Sequence, residues 1–293
     1  MKEGRWRKYD LRRPGREIIA VPILKPENLG PEMAVDEKMI GEEMYTVLSN
    51  RENGKIALLT ETMQVQDLLE ITRNFGRDAE HVKNITCDLS PAYETYAEQA
   101  FTKAKRTADK FHVIRHIVDS LQAIRIRFRQ QELSKLSKDK NAKEPLLENG
   151  ETRRELLARS RYLLFKFSTQ WTHSQRKRAS VLFKYYPVLQ IAQQLIERLR
   201  IWYDKKNIGK SFDIAQTQLY EWCEDAEDEK IPELNSLVRL LMTYETKILM
   251  YFETGKTNAL AEAINSKIQR FITANYGVRD KDFFLYRMEK YFS

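Results

Sequence analysis

The chain has 293 residues, 42% of them hydrophobic and 11% aromatic, which excludes general disorder and supplies one large core or two ordinary ones. Its two cysteines, Cys87 and Cys223, can build neither a disulfide framework nor a four-thiolate zinc site. That usage fits a reducing cytoplasm, no apolar stretch is long enough to span a bilayer, and the N-terminus lacks the order of a secretory signal. The formal charge of +8, from 50 Lys and Arg against 42 Asp and Glu, attracts polyanions, nucleic acid first among them, but a basic balance alone names no partner.

Residues 1–17 are crowded with Arg5, Arg7, Lys8, Arg12, Arg13 and Arg16 and show little apolar periodicity, so 1–30 reads as a basic arm or truncated linker. Pro22, Pro26, Gly30 and Pro31 punctuate a loop at its end. Strands are predicted over 33–39, 44–49 and 56–62, with Asn53-Gly54 between the last two favouring the positive φ angles of a tight hairpin. Residues 63–75 carry apolar side chains at helical spacing, with Gly76 as the expected C-cap. A further strand over 82–89 runs into Ser90-Pro91, a helix start with a side-chain cap and a ring-fixed first position. That helix is expected over roughly 91–103 and a last short strand over 104–109. Three antiparallel strands, a helix, a strand, a helix and a strand are the order of a ribonuclease-H-like mixed sheet of the α/β class.

Beyond Phe111 the periodicity is almost wholly helical: 111–136, then 151–168, 172–185, 187–206, 213–227, 232–253, 257–275 and 280–292. A polar linker, SKDKNAKEPLLENGE, separates the first two. This helical middle cannot extend the sheet and is either a separate domain or an insertion. Trp171, Trp202 and Trp222 are expected to pack between helices rather than to stack on bases.

Four strings carry possible chemistry. Asp36 lies within the apolar strand MAVDEKM, and Asp88 ends another in NITCDLSPAY. A carboxylate at a buried strand end is costly unless something pairs with it; a divalent cation is one such partner, and capping the next turn is another. ADKFHVIRH sets Asp109 and His112 three apart at a strand-to-helix junction. There Asp109 also suits a helix cap and His112 a satisfied core position. TNALAEAINSKIQ places Asn258, Glu262, Asn265 and Gln269 on one helical stripe, either a solvated face or the lining of a metal and DNA site.

The strings VDEKMIGEEMYTVL, CDLSPAYETYAEQAF, ADKFHVIRHIVDSL and TNALAEAINSKIQ, followed by NYGVRDKDFFLYRMEKYF, resemble in order and spacing the ISL-three-type DDE transposases of bacterial insertion sequences. The resemblance runs over about 33–293. It implies a ribonuclease-H-like catalytic domain at 31–115, a large all-α insertion at 116–254 and a return to the catalytic domain at 255–293. It further implies Asp36, Asp88 and Glu262 as catalytic, metal-binding carboxylates, with Asp109, His112, Asn258 and Asn265 in support and Asp109 as the alternative third ligand. The implied chemistry is in-line displacement at phosphorus aided by two Mg²⁺ ions about 3.5–4 Å apart, Mn²⁺ substituting, with hard oxygen ligands and no covalent enzyme intermediate. The implied partners are DNA, as element ends and target, and further copies of the chain, in the bacterial cytoplasm at the nucleoid and with no membrane. Arg115, Arg125, Arg127 and Arg129, with Arg176, Lys177 and Arg178, are candidates for phosphate contact or for an ordinary solvated face. Full-length members carry an N-terminal zinc-binding segment and a helix-turn-helix region, whereas only 35 residues without Cys or His precede Asp36 here. The expectation is therefore a catalytic region without its end-recognition part, the alternative being an inactive remnant that at most binds DNA.

Overall fold

A computed structural model describes residues 8–9, 19–138, 144–254, 259–278 and 280–292, so the basic residues of 1–17 fall outside the described residues apart from Lys8. By Cα packing the chain divides into two units, Met1–His112 with Lys256–Ser293, and Val113–Gly255.

The first unit is built on strands. Two-residue strands β1 (Lys8–Tyr9) and β2 (Ile19–Ala20) pair with each other, and β3 (Ile23–Leu24) leads to the main sheet. There follow β4 (Glu32–Ile40), β5 (Glu43–Asn50), β6 (Ile56–Thr60), α1 (Val65–Thr72), β7 (Asn84–Cys87), α2 (Pro91–Ala100) and β8 (Lys105–Ala108). The strand order is β3-β6-β5-β4-β7-β8; β4, β5 and β6 are antiparallel, whereas β7 and β8 join parallel to β4. This is the ribonuclease-H-like mixed sheet.

Side-chain alternation divides its core in two. Met33, Val35, Leu48, Ile85 and Cys87 face Leu68 and Ile71 of α1 and Tyr93 and Tyr96 of α2. Ile40, Tyr45, Val47, Ile56 and Leu59 pack with residues from the far end of the chain, Ile264, Ile268 and Phe271 of α11 (Ala259–Ala274) and Leu285, Met288 and Phe292 of α12 (Lys281–Phe292). Lys281 on α12 also pairs with Glu43 and Glu61 at the β5 side of the sheet. Partly exposed ion pairs of this kind orient more than they stabilise.

Local chemistry departs from expectation at four places. Of Asn53-Gly54 only Gly54 takes a positive φ, 76°, inside the longer loop between β5 and β6, so the turn is not a two-residue hairpin. Gly76, with φ 54°, is a kink within a 3-10 stretch, Arg73–His81, that continues α1, not its C-cap. Ser90 is extended but makes no side-chain cap bond, leaving Pro91 at the first turn as the start signal. The next helix stops at Ala100 because Phe101 leaves helical dihedrals and buries its ring edge-on to Tyr96, centroids 6.0 Å apart.

The second unit is helical: most of α3 (Lys110–Lys138), then α4 (Arg153–Arg159), α5 (Arg161–Phe165), α6 (His173–Tyr185), α7 (Pro187–Trp202), α8 (Phe212–Asp228), α9 (Pro232–Thr243) and α10 (Glu245–Thr254). Periodicity merged two pairs of these. The 151–168 stretch breaks at Ser160, whose hydroxyl donates to the Leu156 carbonyl at 2.7 Å, and 232–253 breaks at Tyr244. Capping boxes start α4 at Thr152/Glu155 and α6 at Thr172/Gln175. Trp171, Trp202 and Trp222 are buried, each indole N–H donating to a backbone carbonyl, the satisfaction a packing tryptophan requires. No helix among the described residues is long and apolar enough to cross a membrane.

Because Ile268 is fully buried between α11 and the sheet, Ile268→Ala is expected to lower the unfolding free energy by about 2–5 kcal/mol in urea denaturation. A change below about 0.5 kcal/mol would show that α11 does not cover that face.

Candidate active site

Parallel pairing aligns the acidic residues. β4 and β7 pair with Val35 opposite Cys87, and β7 and β8 with Cys87 opposite Ala108. The next row along all three chains is Asp36, Asp88 and Asp109, and the ladder continues into it through the Asp109 N–H donating to the Cys87 carbonyl at 2.8 Å. Parity then fixes the face. Val35 and Cys87 point to the α1/α2 side, so Asp36 and Asp88 point to the opposite side, which α11 covers.

The three carboxyls differ in setting. Asp36 and Asp88 are half-buried, and each accepts the N–H of the following residue, Glu37 at 2.8 Å and Leu89 at 2.5 Å. Asp109 is buried, and its Oδ1 accepts the Phe111 N–H at 2.6 Å and, at 3.4 Å, that of His112. The capping role of Asp109 is therefore real and coexists with its place in the acidic row. Burial pushes its carboxyl above the ordinary carboxylate value; His112 and the two N–H bonds oppose this, and the Asp36 charge adds to it.

His112, on the first turn of α3, places Nδ1 3.3 Å from Asp88 Oδ1 and 3.8 Å from Asp109 Oδ2. That buried nitrogen makes no hydrogen bond, so His112 is not a satisfied core histidine. Glu262 falls in the first turn of α11, the helix packed on the Asp36 face, but its side chain and that of Asn265 lie outside the described residues, as does Asn258 entirely. Gln269, on the same stripe, is exposed.

Sequence patterning passes over Arg51, directly after β5. Its side chain is 7% exposed, and Nη1 donates to Thr86 Oγ1 on β7 at 2.7 Å. Burial lowers its pKa, while Glu32 and Asp109 favour its charge, so a fixed cation lies within electrostatic reach of the acidic row. Its one sequence signal is an arginine ending the apolar run YTVLSN. Three arginines read as candidates for phosphate contact have carboxylate partners: Arg127 holds Glu233 through Nε and Nη2 at 2.7 and 3.2 Å, Arg178 holds Glu151 at 2.9 Å, and Arg115 pairs with Asp119 at 3.6 Å.

The donor set tests the implied cation. Half-buried carboxylate oxygens are the hard ligands that Mg²⁺ takes, and Asp109, raised chiefly by burial and to a lesser degree by the Asp36 charge, stands in the same row. Among the described residues, however, no three His, Cys, Asp or Glu side chains converge closely enough to hold an ion. The fit is of donor chemistry and strand placement, with the α11 contribution outside the described side chains.

The sign of the Asp109 shift gives a stability test in metal-free buffer. A carboxyl raised above 3.8 on folding contributes stability below that pH and loses it as pH rises through the folded value. Asparagine keeps the cap but cannot ionise. The stability of Asp109→Asn relative to the parent should therefore rise between about pH 3 and pH 7 in thermal denaturation with EDTA; a flat or falling difference contradicts the assignment.

The family profile of ISL3-type DDE enzymes, described as "Transposase", matches residues 33–288. A transposase for insertion sequence element IS1001 from Bordetella parapertussis is 24% identical over 219 residues, covering 73% of this chain and 48% of that protein. The chain thus spans about half the length of the curated relative it matches. Among solved structures, the Drosophila P element transposase strand transfer complex aligns with a TM-score of 0.40 and 14% identity, covering 89% of this chain and 76% of that one. With the profile spanning most of its length, the chain belongs to the ISL3-type DDE transposase family.

Proposed function

We propose that the chain is the catalytic region of an insertion-sequence transposase, cleaving and joining DNA strands by divalent-metal-dependent phosphoryl transfer in the bacterial cytoplasm. The observation that carries this reading is the acidic row of Asp36, in the middle of β4, with Asp88 and Asp109, which directly follow the adjacent parallel strands β7 and β8, on the face that α11 covers. Ligand and catalytic sites of open α/β sheets lie outside the carboxyl ends of their strands. Membership of a transposase family supports a transposition reaction.

In this reading Asp36, at the centre of the sheet, and Asp88, one strand over, hold the metal, and Glu262 completes the set from α11. Mg²⁺, or Mn²⁺ in its place, would act as Lewis acid and activate the attacking water or 3′-hydroxyl. Asp109 starts α3 and thereby orients His112, whose Nδ1 stands 3.3 Å from Asp88 and can hold or release a proton there. Asn258 and Asn265 would support Glu262 from the same helical stripe. The Arg51 cation limits the repulsion that the row suffers before metal arrives. DNA ends and target are the substrates, and a multimer working on paired ends is the acting form.

The test is nicking of supercoiled plasmid carrying element ends, with Mg²⁺, Mn²⁺ or EDTA. Asp36→Asn, Asp88→Asn and Glu262→Gln should each reduce nicking to the EDTA background while melting cooperatively like the parent protein. Parent-level cleavage by Glu262→Gln would remove that residue from the site and move the third ligand to Asp109. No metal-dependent nicking by the parent chain would leave DNA binding as its most it can do.

A further inference from the structure

We propose that Arg125, Arg129 and Arg161 form a binding site for backbone phosphates of duplex DNA on the helical unit. This rests on the reading of the chain as a DNA strand transferase and deepens it by naming a substrate contact away from the acidic row.

The site is built by one turn of α3 and the start of α5. Gln122, buried on α3, donates through Nε2 to the Arg161 carbonyl at 3.2 Å and accepts through Oε1 from Arg125 Nε at 2.8 Å. Arg125 Nη1 donates to the Leu157 carbonyl at 3.0 Å. These bonds fix α5 over α3 and hold Arg125, 6% exposed, in one geometry. Arg129 follows one turn later on the same face of α3.

Among the described residues none of the three guanidinium groups meets a carboxylate. There the partners of Arg125 are neutral, Arg129 has no ion pair and its buried Nε makes no hydrogen bond, and Arg161 lies against the rings of Tyr162 and Phe165. Other cations of this unit do meet carboxylates, as in half-buried Arg127–Glu233 and Arg178–Glu151 and exposed Arg198–Asp225, while half-buried Arg200 donates to the Phe165 carbonyl and lies over the Phe167 ring. Burial lowers the pKa of Arg125, and the charges of Arg161 and Arg129 lower it further, the mark of like charges gathered without an anion.

Such a cluster gains most from a ligand that brings negative charge and several acceptor oxygens. Guanidinium groups bind phosphate through parallel N–H bonds, which a lysine ammonium cannot reproduce. Tyr162, 71% exposed beside Arg161, offers an aromatic surface for a sugar or base edge. Phosphate contacts of this sort add affinity and register, not sequence choice.

The experiment is fluorescence anisotropy of a labelled duplex with the full chain, in EDTA, across a salt series. Arg129→Gln with Arg161→Gln should lower the slope of log Kd against log salt by about two and weaken binding by about tenfold or more, alike for unrelated sequences. Arg161→Gln alone, on an exposed side chain that leaves the fold intact, should lower the slope by about one. Arg198→Gln, which removes a cation already paired with Asp225, should leave the slope unchanged. An unchanged slope in the Arg161→Gln and double variants, or an equal loss in Arg198→Gln, overturns the site while the catalytic reading survives on the nicking result. A parent chain that binds no duplex at all overturns both.

Discussion

The parallel, in-register pairing of β4, β7 and β8 is the constraint on which the candidate site depends. Once Val35, Cys87 and Ala108 lie side by side, Asp36, Asp88 and Asp109 must follow as one row. Period-two alternation then puts Asp36 and Asp88 on the side away from α1 and α2. Gathering carboxylates in this way opposes folding, because each raises the cost of charging its neighbours. The fold contains that cost in three visible ways. The row stands where the parallel ladder of β4, β7 and β8 stops, and there Asp36 and Asp88 keep partial contact with solvent. Backbone N–H groups bond all three carboxylates, and the buried Arg51 sits within electrostatic reach.

The residual cost is concentrated at Asp109 and His112. Asp109 serves two ends at once, starting the long helix α3 and closing the acidic row, and burial holds its carboxyl above the usual range. His112 brings a buried nitrogen to two carboxylates without forming a hydrogen bond to either.

Electrostatics in the helical unit follow a different pattern. Half-buried Arg127, Arg153 and Arg178 have carboxylate partners, and the capping boxes at Thr152 and Thr172 satisfy helix starts locally. The Arg125–Arg129–Arg161 group instead gathers three cations that meet no carboxylate among the described residues. What lies across from an arginine decides its partners, and Arg127 and Arg129, two residues apart on one helix, differ in this: Arg127 holds Glu233, whereas the buried Arg129 Nε makes no hydrogen bond among the described residues.

The sequence by itself determined the strand-and-helix order, the mixed sheet and the places of Asp36 within one strand and Asp88 at the end of another. These rest on short-range rules: alternation in MAVDEKM and YTVLSN, proline at the first turn after Ser90, and helical spacing beyond Phe111. Local rules were weaker where a packing contact or side-chain bond overrides periodicity, as at Phe101, whose ring buries against Tyr96, and at Ser160, whose hydroxyl bonds back to Leu156. Only the tertiary structure decided the register that lines up Asp36, Asp88 and Asp109, the seating of α11 from the far end of the chain on the Asp36 face, and the burial of Arg51. Each of these is a pairing between residues far apart in the chain. Such pairings are set by which apolar faces bury one another, and no spacing within a single segment encodes that choice.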